Sequence, residues 1–459
     1  MKKETTKNLI YFLLTIVAIA ALVCGLTRLY ASKNGAIHRQ RFYEQKEDVD
    51  VLFIGTSHAY AGYQPMELYR KYGISSFNLS TAGERFAVNY YSMLDAFNYH
   101  VPKVVVIDCH AFEYGDEKND HEVPTRCHGV FDGMPMSRLK IQAIQDVLSD
   151  LPDTWPEYYF PLYYYHNRWV ELERQDFEDP VLNNYGKGGR LFHGVANAKP
   201  FEVIPQEEYE WAGDLSCEYA EKIVQLCKEK GIDIHFMCIP FPCNQETQRV
   251  LNQAQKLADE YDNCYYVNLM LHTDEMDFNF ATDMADLGSH VNLLGGHKVT
   301  DYIGKYLSER YEFTDYRSDD PDSVWNKEYR YYTTYLDRLR NDCEDYKDYL
   351  ANVYSPDYSF AIYVSDMAAA NDDGLLYKLI KKDDTDSNAD ADALTGTYFY
   401  SNMNGEVKEI INPSSVEDTP FWTDYADDYD QNSLLSIAVF NNQTRELVEV
   451  TNWSAGGRL

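Results

Sequence analysis

Residues 49–58 read VDVLFIGTSH, and this stretch predicts the architecture of the first part of the chain. A short apolar run that stops at a glycine is typical of a buried strand in a parallel sheet. We therefore expect a strand over 49–54 and a turn at Gly55. Such a turn projects the Ser57 hydroxyl above the carboxyl edge of the sheet, where open α/β folds bind ligands. The same residues also fit an ordinary strand-to-helix turn with a serine cap.

Strands and helices are predicted to alternate on the carboxyl side of this turn. The apolar patterns predict strands at 74–79, 104–107, 232–238 and 264–269, and helices at 84–99, 217–230, 245–261 and 295–311. Alternation of this kind predicts an α/β domain over 48–313, with a parallel sheet covered by helices on both faces. An aromatic-rich insertion at 110–205 interrupts it and resembles a lid more than a sheet.

A polar linker at 314–323 separates this domain from an acidic C-terminal α+β domain at 324–459. The sequence predicts a long tyrosine-rich helix at 324–354 and strands at 358–364, 395–400, 434–440 and 446–451. The acidic run 383–392 lacks the glycine and the final glutamate of an EF-hand loop, so we interpret it as a solvated loop.

Residues 9–26 form an apolar run of the length that spans a hydrocarbon core of about 30 Å. We expect a transmembrane signal anchor at 8–30, between a cytoplasmic tail at 1–7 and a juxtamembrane stretch at 31–47. Leu29 and Tyr30 stand where a cleavage site needs small residues, which argues against removal of the segment. Basic residues flank the run on both sides, so charge alone leaves the orientation open.

The formal net charge of −33 argues against nucleic acid as a partner, since phosphate binding needs a basic face. None of the nine cysteines has the spacing of a zinc site, and we expect neither a metal nor another cofactor. Cys238 and Cys243 are close enough in sequence to pair, but buried free thiols are the favoured interpretation.

A second set of polar residues lies before the last predicted helix, where Asp283, Asp286 and His290 share one loop. A carboxylate that bonds one imidazole nitrogen leaves the other nitrogen free to take a proton from a serine. Either aspartate could fill that role. A loop histidine held by surface carboxylates is the alternative interpretation.

The turn at 55–58 and the loop at 286–298 together resemble the SGNH (GDSL-like) hydrolase superfamily. The Gly-Thr-Ser-His start and the His-Val-Asn tail look especially like its extracytoplasmic branch, related to the D-alanyl-lipoteichoic acid biosynthesis protein and to alginate acetylation proteins. The resemblance implies Ser57 as nucleophile, His290 as base and Asp286 as orienting carboxylate, with Asp283 as the alternative. It also implies an oxyanion hole formed by the Ser57 and Gly83 amides.

The sequence departs from the family pattern in three places. Asp286 stands four residues before His290 instead of three, which keeps Asp283 in consideration. The third family block supplies an Asn after strand three, whereas this chain has Asp108 and His110 near that point. The central insertion is also larger than in minimal members. These departures favour acyl transfer over the reaction of a plain esterase.

His166, Arg168 and Trp169 lie within the insertion and are candidate substrate-binding residues. Aromatic rings stack on sugars and arginine binds phosphate or carboxylate, although a packed amphipathic helix would give the same pattern. We therefore predict a single-pass membrane protein with an extracytoplasmic serine O-acyltransferase domain that acts on a cell-envelope polysaccharide or teichoic-acid-like polymer. The resemblance implies a membrane-bound O-acyltransferase as partner. The alternatives are an SGNH esterase or deacetylase and a non-catalytic envelope accessory protein.

Overall fold

The computed structural model describes residues 2–31, 36–116, 122–177, 186–353, 358–371, 373–380, 395–425 and 427–459. The chain begins with helix α1 (Lys2–Tyr30). Its segment Thr5–Tyr30 is the one described helix that is long and apolar enough to cross a membrane, a property that an N-terminal signal sequence shares. The predicted solvated loop at 383–392 lies outside the described residues.

A five-stranded parallel sheet forms the centre of the first folded unit, as the sequence predicted. Its strands are β1 (Val51–Ile54), β2 (Ser76–Asn78), β3 (Val104–Asp108), β4 (Asp233–Cys238) and β5 (Cys264–Asn268). The strand order is β2-β1-β3-β4-β5, and every neighbouring pair is parallel. Successive strands are therefore added toward one edge of the sheet from β1 to β2 and toward the other edge from β3 onward, and the carboxyl ends of β1 and β3 flank the crevice where open sheets bind ligands.

Helices cover both faces of this sheet and produce two separate apolar cores. The helices of the first unit, with those of the insertion, are α2 (Ala36–Glu44), α3 (Ser57–Gly62), α4 (Pro65–Tyr72), α5 (Phe86–Ala96), α6 (Glu122–Phe131), α7 (Arg138–Val147), α8 (Trp155–Tyr159), α9 (Pro161–Tyr165), α10 (Arg174–Phe177), α11 (Asp214–Lys230), α12 (Gln245–Leu251), α13 (Gln253–Glu260) and α14 (Leu293–Ser308). The predicted helix at 245–261 is divided at Asn252, whose side chain bonds the carbonyls of Pro205 and Glu208.

The folded unit begins earlier than the sequence predicted, because α2 packs into it. The stretch 31–47 was expected to be a polar juxtamembrane segment, yet Phe42 and Arg39 are completely buried. The Arg39 guanidinium donates to Ser92 and to the Leu79 carbonyl, each at 2.5 Å, and lies 3.6 Å from the Glu84 carboxylate. A soluble fragment that starts at residue 40 would leave Glu84 buried without this cation.

The insertion contains two structurally different parts. The first part, 122–177, is helical and has its own apolar core, with α6, α7 and α8 around Phe131 and Tyr158. The second part, described from residue 186 onward, has no regular helix or strand until α11 begins at Asp214. It returns along the carboxyl edge of the sheet.

The C-terminal unit is a six-stranded antiparallel sheet with helices, which agrees with the predicted α+β class. The sheet order is β10-β9-β8-β11-β12-β13, with strands β8 (Tyr358–Val364), β9 (Tyr398–Ser401), β10 (Lys408–Ile411), β11 (Leu435–Asn441), β12 (Leu447–Ser454) and β13 (Gly457–Arg458). Its helices are α15 (Val324–Asn341), α16 (Tyr346–Val353), α17 (Met367–Ala370), α18 (Leu375–Ile380) and α19 (Pro420–Tyr425). Strands β10 and β13 were not predicted.

The two units meet through α15, where Trp325 and Tyr332 pack against Met66 and Tyr69 of α4.

All nine cysteines are described and all are free, so Cys238 and Cys243 do not form a disulfide.

Candidate active site

Ser57 occupies the first position of α3, directly beyond the carboxyl end of β1. Gly55 has φ +144°, and a Cβ there would lie 2.7 Å from the Asp108 Cβ, so only glycine fits this turn. Thr56 caps α3 by accepting from the His58 amide at 3.2 Å, and its hydroxyl donates to Asp108 at 2.7 Å. The turn is therefore fixed to the end of β3, and Ser57 is held at the sheet edge.

His290 reaches this edge from a small antiparallel hairpin between β5 and α14. Strands β6 (Met284–Ala285) and β7 (His290–Val291) pair, with Ala285 opposite His290. Asp286 and Leu287 in the connecting loop both have left-handed backbones, with φ of +50° and +55°. Non-glycine residues rarely adopt this conformation, and its strain concentrates at functional sites. The left-handed turn reverses the chain between Asp286 and His290.

Ser57, His290 and Asp286 form a hydrogen-bonded relay. Ser57 Oγ lies 2.8 Å from His290 Nε2, and His290 Nδ1 lies 3.1 Å from Asp286 Oδ2. An ionised carboxylate can only accept, so Nδ1 carries the proton and Nε2 is free to accept the serine proton. The His290 side chain is only 14% exposed, whereas that of Asp286 is 57% exposed. The relay thus runs from a shielded serine toward solvent.

Asp283, the alternative orienting residue, has other partners. Its carboxylate is fully buried and accepts from Lys298 Nζ at 2.7 Å, from the Asn279 amide at 2.8 Å and from the Thr282 hydroxyl at 2.9 Å. These bonds tie the base of the hairpin to α14. Asp286 is the aspartate that bonds His290, at 3.1 Å, whereas Asp283 supports the loop that carries the histidine.

The pKa of His290 lies below its ordinary value of 6.5. Burial is the largest cause, because a desolvated imidazolium is unfavourable, and the nearby His110 and Arg190 lower the pKa further. Asp286 opposes these effects by stabilising the charged ring. The net result keeps His290 neutral at neutral pH, which is the state that a general base requires.

Aromatic rings enclose the relay on two sides. Phe192 stacks on His290 with ring centroids 4.6 Å apart and an interplanar angle of 3°. His58 stacks on His110 at 4.0 Å, and Phe241 contacts both of these rings. Sequence reasoning missed Phe192, because only the folded chain brings the insertion back to the hairpin.

Arg190 and Tyr60 add a cation and a hydroxyl beside the serine. The Arg190 guanidinium lies 5.1 Å from the centre of the Tyr60 ring, and the Tyr60 hydroxyl interacts with the side chains of both Arg190 and Ser57. Tyr60 stands three residues after Ser57, one turn along α3, a spacing that could have identified it from sequence. Arg190 is exposed and gave no such signal.

Two groups are available near the serine for an oxyanion site. Gly83 lies two residues beyond Thr81, whose amide donates to the Gly55 carbonyl at 3.3 Å, so its loop runs beside the serine turn. The role of the Gly83 amide stays a prediction. His110 follows β3; its Nδ1 is buried without a hydrogen-bond partner in the described residues, and its Nε2 lies 3.0 Å from Glu113.

His166, Arg168 and Trp169 are not brought to Ser57 by any contact among the described residues. Arg168 donates to the Tyr30 carbonyl at the end of α1 and pairs with Asp176 at 3.2 Å. His166 is exposed, with Nδ1 2.6 Å from the Tyr163 carbonyl, and Trp169 is 64% exposed. The predicted substrate site therefore lies at the end of α1 instead of at the serine. Within the described part of the chain, no group of three His, Cys, Asp or Glu residues is arranged for a metal ion.

Comparisons with known proteins give little additional information. No family model and no curated protein matches the chain. A solved structure from Streptococcus pneumonia, described as "a putative platelet activating factor", is 12% identical, with a TM-score of 0.31 over 64% of this chain and 98% of that chain. An identity and a TM-score this low assign no function, so the site is interpreted from its own geometry.

Proposed function

We propose that this protein is a membrane-anchored serine enzyme of the SGNH type that forms an acyl-serine at Ser57. The observation that carries the proposal is the relay of Ser57, His290 and Asp286, with its bonds of 2.8 Å and 3.1 Å. The strand order β2-β1-β3-β4-β5 supports it, since flavodoxin-like sheets of this order bind ligands beside β1 and β3, where Ser57 lies.

The reaction follows from the positions of the protons. Ser57 Oγ attacks an ester carbonyl while His290 Nε2 takes the serine proton, and Asp286 stabilises the resulting imidazolium. The carbonyl oxygen becomes an oxyanion, and the proposed donors to it are the Ser57 amide, the Gly83 amide and a ring N–H of His110. His290 then protonates the leaving alcohol. In the second half-reaction it deprotonates the acceptor hydroxyl that attacks the acyl-serine, which restores Ser57.

We propose an anionic cell-envelope polymer as the acyl acceptor and a cell-membrane location with the folded units outside the cytoplasm. The exposed Arg190 guanidinium beside Tyr60 supports an anionic substrate, because arginine recognises phosphate and carboxylate with paired hydrogen bonds. A membrane-bound O-acyltransferase is the proposed source of acyl groups, since a tethered enzyme gains most when its donor is held on the same membrane.

Hydrolysis is the second candidate, and one observation favours it. Asp286 is 57% exposed, and the helical part of the insertion contacts α1, so an aromatic lid over the acyl-serine is not evident among the described residues. Water would then reach the intermediate as readily as a polymer hydroxyl.

Active-site labelling tests the proposal. A fluorophosphonate probe should modify the purified full-length protein at Ser57, and Ser57→Ala should abolish labelling because, within the described ranges, Ser57 is the serine that bonds His290. Ser289→Ala, an exposed neighbour on the same hairpin, is the matched control and should label normally. Labelling that persists in Ser57→Ala would refute the proposal.

A second experiment separates a transferase from an esterase. The purified protein is given a small ester together with an anionic polymer. Incorporation of acyl groups into the polymer would indicate a transferase, and hydrolysis without incorporation would indicate an esterase.

A further inference from the structure

The helical part of the insertion exposes a group of large apolar side chains that the proposed chemistry does not use. These are Phe160, Tyr163, Trp169, Val170 and Phe177, and each is between 63% and 70% exposed. Single exposed apolar residues are ordinary on a protein surface, but these five belong to one stretch of 18 residues, 160–177, and exposed apolar groups of this size mark contact surfaces. We call this group the aromatic patch.

The aromatic patch lies around the end of α1. Helix α9, the 3-10 turn His166–Val170 and α10 all contact α1, and the patch residues belong to these elements or directly precede them. Arg168 donates to the Tyr30 carbonyl, one of the carbonyls left unsatisfied at a helix C-terminus, and its charge is favourable at that end of the dipole. The insertion is thereby joined to the point where the chain leaves α1.

The depth of this contact along α1 can be estimated. The side chains of α1 are exposed up to Gly25, and partial cover begins at Leu26, the last residue of the apolar run. From Leu26 to Tyr30 the helix rises about 6 Å. The headgroup region on each side of a bilayer is also about 5–8 Å thick. If α1 spans the membrane, the patch lies at the level of the headgroups.

We infer that the aromatic patch is a membrane-interface element that lies in the headgroup layer of the same bilayer that α1 crosses. Tryptophan and tyrosine favour this layer, because the ring buries apolar area there while its N–H or O–H stays hydrated, and the two phenylalanines and the valine add apolar area. Two attachments, the span and the patch, fix the tilt and rotation of the folded unit above the membrane, whereas a single helix would leave it free to pivot. This inference rests on the proposed anchor.

Lipid-contact quenching of tryptophan tests the inference directly. Helix α1 contains no tryptophan, so any quenching by brominated phosphatidylcholine reports on the folded part. Full-length protein in brominated vesicles should lose fluorescence relative to ordinary vesicles, and Trp169→Phe should remove most of that loss. The matched control is Trp211→Phe, which alters a tryptophan that is 56% exposed and bonded to Asp214, remote in sequence from the insertion helices. It should leave the quenching unchanged.

Each outcome has a defined meaning. Absence of quenching in protein that floats with vesicles, or quenching equal in Trp169→Phe and wild type, would overturn the inference while leaving the anchor intact. Protein that fails to float would instead refute the anchor. A Trp169 emission shift produced by envelope polymer and not by lipid would also overturn the inference and favour a polymer site. Thermal unfolding of both variants checks that each is folded.

Discussion

The two parts of the insertion at 110–205 contact different regions of the molecule. The first part, 122–177, is helical, has its own small core and exposes aromatic rings near the end of α1. The second part is extended and is joined to the sheet edge by backbone bonds. The Arg190 amide donates to the Tyr60 carbonyl, and the Phe192 carbonyl accepts from the Leu293 amide, each at 2.8 Å.

The role of the first part depends on which types of residue it contains, and the role of the second part depends on where its residues lie. The aromatic patch depends on composition, since any large apolar or aromatic ring at the right level gains from the interface. The second part depends on position, because Phe192 stacks on His290 at an angle of 3° and Arg190 acts on the His290 pKa. Substitutions of Phe192 or Arg190 should therefore change turnover or its pH dependence. Substitutions in the first part should leave both unchanged.

The largest effect is expected from the carboxylate that holds His290. Asp286→Asn keeps the shape of the side chain but removes the charge, and comparable changes in other triads reduce turnover by about four orders of magnitude. Asp283→Asn should leave turnover of the folded protein nearly intact, because its bonds support the hairpin base. Its expected cost is stability, about 3–5 kcal/mol for a buried pair that loses one charge. Ester hydrolysis and thermal unfolding of both variants measure the contrast, and equal inactivation would contradict it.

A second effect tests the attachment of α2 to the first folded unit through Arg39. Arg39→Met removes the cation beside Glu84 and should lower the free energy of unfolding by about 3–5 kcal/mol. Burial raises the pKa of Glu84 from 4.5 to about 7 against the opposing charge of Arg39. The folded protein thus binds more protons than the unfolded chain between these values, so the stability from Glu84 is lost as pH rises through this window.

Without Arg39 the pKa of Glu84 rises further, and the loss of stability extends to higher pH. Urea unfolding in detergent should therefore show a larger penalty for Arg39→Met at pH 8 than at pH 6. Adding Glu84→Gln should remove this pH dependence. A penalty independent of pH would show that Glu84 is not the group involved.

The smallest effect compares one arginine from each part of the insertion. Arg190 lowers the pKa of His290, so Arg190→Gln should raise that pKa and move the acidic limb of the kcat/KM profile to higher pH. In the wild type this limb should lie below the ordinary histidine value of 6.5. Arg138→Gln, an exposed arginine at the start of α7, should leave the profile unchanged. A shift toward lower pH in Arg190→Gln would contradict the assignment.

The sequence alone determined the elements whose signals are local. The apolar runs VLFI and VVVI identified β1 and β3, because a strand buried on both faces is rich in apolar side chains, and shorter apolar patterns identified the other three parallel strands. Glycine before Ser57 identified the turn, since only glycine tolerates φ +144° beside Asp108. The apolar length of α1 was equally evident, and Ser57 and His290 each stood out in a separate local pattern, but no local signal joins residues 233 positions apart.

Tertiary structure decided the features that depend on distant parts of the chain. The assignment of Asp286 over Asp283 follows from a left-handed turn and from the partner Lys298, neither of which residue spacing reveals. Burial of α2 depends on the pairing of Arg39 with a loop forty residues away. The insertion was predicted as one lid, yet its first part contacts α1 and its second part contacts His290. Aromatic composition predicts that the rings will be buried or will contact a partner. Only the path of the folded chain determines which residues they contact.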